Sequence, residues 1–208
     1  MPLDEVPPSR LQACIEQEQI VQHFTAAFGV RVDTEGLDVV QEREHVSFAG
    51  ARLPEPPEAV LMDRVLQLVP REMLRGVERI VMLPSRGTAR YGSYLNGIIR
   101  LGVDAASRRL PDGEFGSRYS LVTTTLLHEI GHAIHQVWLT NEQRAKVVDA
   151  YLDRFIERRG EEDGEPTTRQ AEHFFIDLVM GVLLRVDTAS ASLAEAGAVL
   201  GELGVPLG

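Results

Sequence analysis

The spacing of apolar residues changes from helical to strand-like within the first third of the chain. From Ser9 to Phe28 they recur at three- and four-residue steps, which predicts an amphipathic helix that Gly29 ends. The fragments LDVV and HVSFAGARL, between residues 36 and 53, predict short strands. A second helix is predicted over 57–69, with an extra turn at 71–75.

Two further segments complete the predicted β structure. The run VERIVML, at 77–83, predicts a strand. In ARYGSYLNGIIRLGV two extended stretches flank Asn96-Gly97, the dipeptide most typical of a two-residue hairpin turn. Residues 106–118 contain one proline and two glycines, which predicts a loop.

Helical patterns dominate the rest of the chain. An apolar-rich helix is predicted over 120–138 and a small-residue helix over 190–203. Two capping boxes, Thr140 with Gln143 and Thr167 with Gln170, predict helix starts. We therefore expect an α+β fold in a single domain over 1–208, with a mixed N-terminal lobe (1–138) and a helical C-terminal lobe (139–208).

Composition and charge narrow the function classes. The 208 residues carry a net charge of −10, which works against nucleic acid or an anionic membrane as the main partner. The longest apolar run, 178–184, is far shorter than the ~20 residues of a membrane helix. The start MPLDEVPPSR does not resemble a signal peptide, so we expect a cytoplasmic protein; an effector delivered by a specialised machine or a trimmed secreted form would look the same.

Other features have ordinary interpretations. The single cysteine, Cys14, lies on the apolar stripe of the first helix, which favours a core residue over a reactive thiol. The acidic stretch at 160–166 is interpreted as a solvated connection, not a metal site. His23 and His45 are far in the sequence from the other candidate ligands, and their spacing does not suggest metal binding.

The chemistry of the chain concentrates at His128-Glu129-Ile130-Gly131-His132, an HExxH pattern inside a predicted helix. Positions i and i+4 lie above one another on a helix, so both imidazoles can bind one Zn²⁺. Beside them, Glu129 can take a proton from a zinc-activated water and later give it to a leaving amine. The motif thus predicts one zinc per chain and peptide-bond hydrolysis.

The HExxH motif supplies two metal ligands and does not say which residue is the third. The metzincin continuation is absent, since His135 and Trp138 occupy the positions of its glycine and third histidine. Glu172, 40 residues after His132, is the preferred candidate because we expect it on the buried stripe of its helix, where a cation would compensate the carboxylate. His173 is its rival, and another acid stays possible. For His135, one turn past His132, we expect a place in the cleft wall or behind a ligand.

These motifs resemble the gluzincin zinc peptidases, in particular the branch of the anthrax lethal factor catalytic domain and the Pro-Pro endopeptidases. LLHEIGHAIH looks like the active-site helix of that branch, AEHFFIDLV like its glutamate helix, and YGSYLNGIIRLG like its substrate-lining edge strand. The resemblance covers about residues 77–187. It implies a zincin-like fold with an edge strand over the active-site helix, zinc on His128, His132 and Glu172, and Glu129 as general base and acid.

The chain departs from that branch at two positions. Where the branch has a tyrosine that supports the oxyanion, seven residues before the glutamate ligand, this chain has Glu165. Tyr91, Tyr94 and Arg169 are candidate substitutes, since losing one oxyanion donor can cost ~10²–10³ in rate. The branch also has an acid four residues after the ligand, whereas Asp177 lies one place later.

Two function classes follow. The first is a metalloendopeptidase whose peptide or protein substrate binds in extended form along an edge strand near 98–101. The second is a catalytically weak zincin-fold module that binds or regulates, which the missing tyrosine makes credible. Glu129 favours the enzyme, because a binding module has no need of a glutamate between its metal ligands. The sequence does not define the substrate, the cleavage site or the oligomeric state.

Overall fold

The structure is a computed structural model that describes residues 17–44, 47–84, 91–102, 119–158 and 167–206. Several predicted features lie outside the described residues. These are the start of the first helix with Cys14, His45, the loop at 106–118, and the acidic stretch at 160–166 with Glu165.

In the described ranges the fold is mixed α and β, mostly helical, with a small three-stranded sheet. The helices are α1 (Gln17–Phe28), α2 (Leu37–Glu44), α3 (Pro56–Leu68), α4 (Leu121–Ala133), α5 (Asn141–Arg158), α6 (Thr168–Leu184) and α7 (Leu193–Glu202). A 3₁₀ helix, Arg71–Gly76, confirms the predicted extra turn after α3. The strands are β1 (Arg79–Met82), β2 (Gly92–Leu95) and β3 (Ile98–Leu101). No helix among these residues combines the length and apolarity that a membrane crossing requires.

The sheet order is β1-β3-β2. β3 pairs in parallel with β1 and antiparallel with β2, so Ile98–Leu101 is the central strand. The prediction that a substrate chain pairs near 98–101 is therefore wrong, because both edges of that strand are already hydrogen-bonded. Among the described residues, β2 is the strand whose second edge, toward the helices, pairs with no other strand.

The predicted hairpin is confirmed. Asn96 and Gly97 join β2 to β3, with φ of 47° and 83°. Positive φ at both positions is the geometry of a type I′ turn, which Asn-Gly favours. The turn fixes the register Leu95 with Ile98 and thus decides which β2 residues face the helices.

One continuous hydrophobic core holds the sheet and most helices together. Ile99 and Leu101 point from β3 into this core, where they join Leu126 and Ile130 of α4 and Phe175 of α6. The core thus includes residues from both predicted lobes. α1 is also fixed to α3 by a buried polar contact, in which His23 Nε2 donates to Asp63 Oδ1 at 2.6 Å.

The LDVV strand prediction is wrong, because these residues begin α2. Leu37 and Val40, three residues apart, pack with Val81 on the far face of the sheet. Val39 is 51% exposed, whereas a strand would have placed it on the same face as Leu37. The short β-branched run therefore gives way to helical packing and to the helix-favouring sequence QERE that follows.

The HVSFAGARL strand is also not formed in its described part. Between residues 47 and 53 only Arg52 forms a β-bridge, to Met82. A turn in which the Ala51 N–H bonds the Phe48 carbonyl bends the chain, and Gly50 within it has a φ of +77°.

Both predicted capping boxes are present in the C-terminal half. Thr140 and Gln143 bond reciprocally before α5, as do Thr167 and Gln170 before α6. The predicted helix over 120–138 is confirmed only to Ala133, since Ile134–Trp138 forms a wider π-type turn. Arg144 of α5 donates to the carbonyls of His135 and Gln136 in that turn, which supplies partners for the widened backbone.

Candidate metal centre

The floor of the candidate site is α4. Ser120 caps this helix, its hydroxyl accepting from the Thr123 N–H at 3.2 Å. Leu126, Leu127 and Ile130 are fully buried and anchor the helix in the core. His128 and His132, one turn apart, therefore project from a rigid helix, and their ring centroids are 4.9 Å apart.

Gly131 allows α6 to pack closely on α4 at the level of these histidines. A β-carbon at this position would stand 2.9 Å from Cγ2 and 3.0 Å from Cγ1 of Ile176. Such distances are shorter than van der Waals contact, so a side chain here would push the helices apart. The space that a side chain at Gly131 would need is therefore filled by the Ile176 side chain of α6.

That packing brings His173 of α6 to the two histidines of the motif. Its ring centroid lies 5.3 Å from that of His128 and 5.5 Å from that of His132, with interplanar angles of 89° and 70°. One nitrogen from each of the three rings lies within 4.8 Å of the others. Among the described residues, no other group of three or more potential ligands has metal-binding spacing.

The donor set fits zinc. Three imidazole nitrogens with a fourth open position are a known arrangement for catalytic Zn²⁺. Tetrahedral zinc with Zn–N bonds of about 2.0–2.1 Å needs nitrogens about 3.4 Å apart. A spacing of at most 4.8 Å is close enough for side-chain rotation to complete the site.

Glu172 lies beside this cluster and contacts one of its members. His132 Nδ1 donates to Glu172 Oε1 at 2.9 Å, which leaves His132 Nε2 as the nitrogen with a lone pair. The same oxygen accepts from Gln136 Nε2 at 3.4 Å and lies 3.6 Å from His135 Nδ1. A carboxylate on the far nitrogen of a ligating histidine orients its ring and raises its basicity.

The preferred third ligand thus lies behind a histidine. The Glu172 side chain is 20% exposed and is not buried as predicted. Its pKa is lowered: burial acts to raise it, but the hydrogen bond and charge of His132 outweigh burial. Ligation by Glu172 stays a prediction, and its rival His173 occupies the ligand-spaced position.

Glu129 is enclosed between α4 and the edge strand β2. Its side chain is almost completely buried, and the backbone N–H of Tyr94 donates a hydrogen bond to the carboxylate. Burial raises the pKa of Glu129 to about 7, although the Tyr94 hydrogen bond and the charge of Arg100 act in the opposite direction. A carboxyl group with such a pKa exchanges protons readily at neutral pH.

Burial favours the neutral, metal-binding form of three histidines in and around the cluster, His128, His135 and His173. Burial lowers the pKa of His128 to about 4, and the charges of His132 and His173 add to this effect. The pKa of His173 is lowered by burial and then by His132 and Arg169. Burial also lowers the pKa of His135. Neutral imidazoles keep lone pairs for a metal near pH 7.

These groups line a groove of about 580 Å³. α4 forms its floor, the outer edge of β2 forms one wall and α6 forms the other. β2 runs along α4: Gly92 lies over Thr125 and Glu129, while the Tyr94 hydroxyl donates to Gly76 O, close to the C-terminal end of α4. A second cavity, of about 520 Å³, continues past Gln136.

All three candidate oxyanion donors line the groove, but only two of them have a side-chain donor that is not bonded to Gly76. Tyr91 and Arg169 come from opposite walls. Tyr94 does not present its hydroxyl to the cluster, because the hydroxyl donates to the Gly76 carbonyl at 2.9 Å. His135 lies in the wall of the second cavity, the place that its spacing suggested.

Sequence reasoning missed Gly92 and Gln136. A glycine inside a predicted strand is a signal for close backbone approach, and Gly92 was such a glycine. Gln136 carried no comparable signal, because its contact with Glu172 depends on the packing of α6 against the π-type turn.

Comparison with known proteins finds no match: no family model fits the sequence, and no curated protein and no solved structure is significantly similar to the chain. The resemblance to the lethal factor branch therefore rests on the residues quoted above alone.

Proposed function

We propose that the protein is a zinc-dependent metallopeptidase of the zincin type, with His128, His132 and His173 holding the metal. The observation that carries the proposal is the convergence of these three imidazoles beside a buried glutamate in one groove. A zinc ion bound there would act as a Lewis acid toward a peptide carbonyl and would acidify a water molecule.

The sequence around His173 supports its role as third ligand. Counting from His173 places Asp177 four residues later, where the resembled branch has an acid. The negative charge of Asp177 acts on His173 and raises its pKa, although burial has the larger, opposite effect. In this register Glu172 orients His132 through Nδ1 and does not ligate the metal.

Glu129 is the proton carrier in this proposal. Its carboxylate takes a proton from the attacking water and gives it to the amide nitrogen as the peptide bond breaks. A pKa of about 7 suits both steps, because the group must accept and then release the same proton near neutral pH. The Tyr94 N–H holds the carboxylate in place and leaves its second oxygen for the water.

The unpaired edge of β2 supports an extended substrate. In the register of the hairpin, Ser93 and Leu95 direct their backbone groups to β3, whereas Gly92 and Tyr94 direct theirs outward. The Tyr94 N–H bonds Glu129. Within the described residues no hydrogen bond engages the Tyr94 carbonyl or the backbone groups of Gly92, which leaves them to pair with a peptide. The proposed substrate therefore binds along β2, one strand away from the predicted position.

The test is hydrolysis of a proteome-derived peptide mixture, read by mass spectrometry. We expect cleavage by the zinc-loaded protein, loss of cleavage after chelation, recovery after zinc is returned, and a ~10²–10⁴-fold loss in Glu129→Gln. If the protein holds one zinc but cleaves no peptide, the enzyme hypothesis is contradicted and the regulatory module is favoured.

A further inference from the structure

The groove has ends of different chemistry, with the three-histidine cluster between them. Because α6 runs antiparallel to α4, each end combines the start of one helix with the end of the other. Leu121 of α4 and Met180 of α6 are buried apolar residues at one end, where Tyr91 of the β2 wall, Thr124 and Asp177 also line the cavity. Gln136 and Arg169 line the opposite end.

The polar end carries a concentration of positive charge in an otherwise acidic chain. Arg169 lines both cavities, and its charge is felt at His173. Arg144 lines the second cavity and is held in place by its hydrogen bonds to the carbonyls of His135 and Gln136. In the described part of the chain no carboxylate forms a salt bridge with Arg169. The nearby Glu172 is engaged by His132 and Gln136.

We infer that the groove selects extended peptides with an acidic residue on one side of the scissile bond and an apolar residue on the other. This inference rests on the proposed function. The two arginines would pair with the acidic side chain, and the pocket of Tyr91, Leu121 and Met180 would bury the apolar one.

Helix geometry gives the expected positions of these residues. Arg169 precedes His173 by four residues, which is about 6 Å along α6, and Leu121 precedes His128 by seven, which is about 10 Å along α4. An extended peptide advances about 3.3 Å per residue. The acidic residue is therefore expected within about two positions of the scissile bond, and the apolar residue within about three on the other side.

The first experiment aligns the sites that zinc-loaded wild type cleaves in a proteome-derived peptide mixture, and compares Arg169→Glu with Arg71→Glu. Arg71 is an exposed residue of the 3₁₀ helix, so Arg71→Glu makes the same change of charge outside the groove. We expect Asp and Glu enriched on one side and apolar residues on the other. Arg169→Glu should reduce the acidic preference by about fivefold or more and favour Lys or Arg, while Arg71→Glu should leave it unchanged.

A second measurement separates this inference from the proposed function. Immobilised zinc-loaded Glu129→Gln is incubated with the same mixture, and the retained peptides are identified. Enrichment of peptides that combine acidic and apolar residues, reduced by a further Arg169→Glu change, supports the inference even if wild type cleaves nothing. Cleavage or retention with no acidic bias, or a bias that Arg169→Glu leaves intact, would overturn it.

Discussion

Gly92 and Glu129 fit together so closely that any side chain at the strand residue must displace a neighbouring side chain. A β-carbon on Gly92 would stand 2.7 Å from Glu129 Oε1 and 2.6 Å from Cγ2 of Thr125. The absence of a side chain lets β2 lie directly on α4, so that the N–H of Tyr94 reaches the Glu129 carboxylate. The position of the proposed proton carrier thus depends on a glycine in another element.

Gly92→Ala should impair catalysis while zinc stays bound. The added methyl group displaces Glu129, and a misplacement of about 1 Å can cost ~10² in rate. Overpacking of this kind costs about 1–3 kcal/mol of stability. The measurements are kcat, KM and zinc content, with Gly197→Ala as control because a β-carbon at Gly197 of α7 meets no atom within 4 Å. Unchanged kcat in Gly92→Ala would show that the contact does not position Glu129.

Glu129→Gln should make the metal-free protein more stable at alkaline pH. The folded-state pKa of Glu129 is about 7, above the ordinary 4.5, so the native state binds more protons than the unfolded state between these values. The contribution of Glu129 to wild-type stability therefore falls as pH rises from about 4.5 to 7, by about 3 kcal/mol in total. Glutamine carries no charge and avoids this loss.

Urea denaturation of the chelated proteins at pH 5 and pH 8 measures this difference. The advantage of Glu129→Gln should be about 3 kcal/mol at pH 8 and much smaller at pH 5. An equal advantage at both pH values would mean that the carboxylate is not destabilised by its burial.

His173→Ala and Glu172→Ala should differ in metal binding. Loss of a ligand removes stable zinc binding, whereas loss of a carboxylate behind a ligand typically lowers metal affinity 10–100-fold. Competition with a fluorescent chelator measures both affinities. His23→Gln is the control, because His23 bonds Asp63 on α3 and lies outside the cluster. The reverse order, with Glu172→Ala losing zinc and His173→Ala keeping it, would establish Glu172 as the ligand.

Gly131→Ala should weaken zinc binding by separating α6 from α4. The new methyl group meets Ile176, and the resulting shift moves His173 away from His128 and His132. We expect about a tenfold loss of zinc affinity. Adding Ile176→Ala removes the two clashing atoms and should restore part of that affinity. No loss in Gly131→Ala would show that this contact does not set the third ligand.

Local signals predicted the helices, the hairpin and the α4 side of the site. The capping boxes and Asn96-Gly97 specify their own backbone geometry, and the i, i+4 spacing of His128 and His132 holds in any helix. The predictions that failed concerned features that depend on packing between elements. The sheet order places β3 in the centre, where no substrate can pair with it. Leu37 and Val40 pack on Val81 from a helix, where a strand had been predicted.

The choice between Glu172 and His173 shows the same limit. Adjacent residues on a helix point about 100° apart, so the one that meets the α4 histidines depends on the rotation of α6 about its axis. The packing of Ile176 over Gly131 sets that rotation, and the sequence alone did not reveal this contact.

The most direct test of the account is the zinc content of the purified protein after metal-replete expression, measured by elemental analysis alongside His132→Ala. We expect one zinc per wild-type chain and almost none in the variant, since His132 is both a proposed ligand and the partner of Glu172. Zinc near zero in folded wild-type protein, or equal zinc in wild type and His132→Ala, would contradict it.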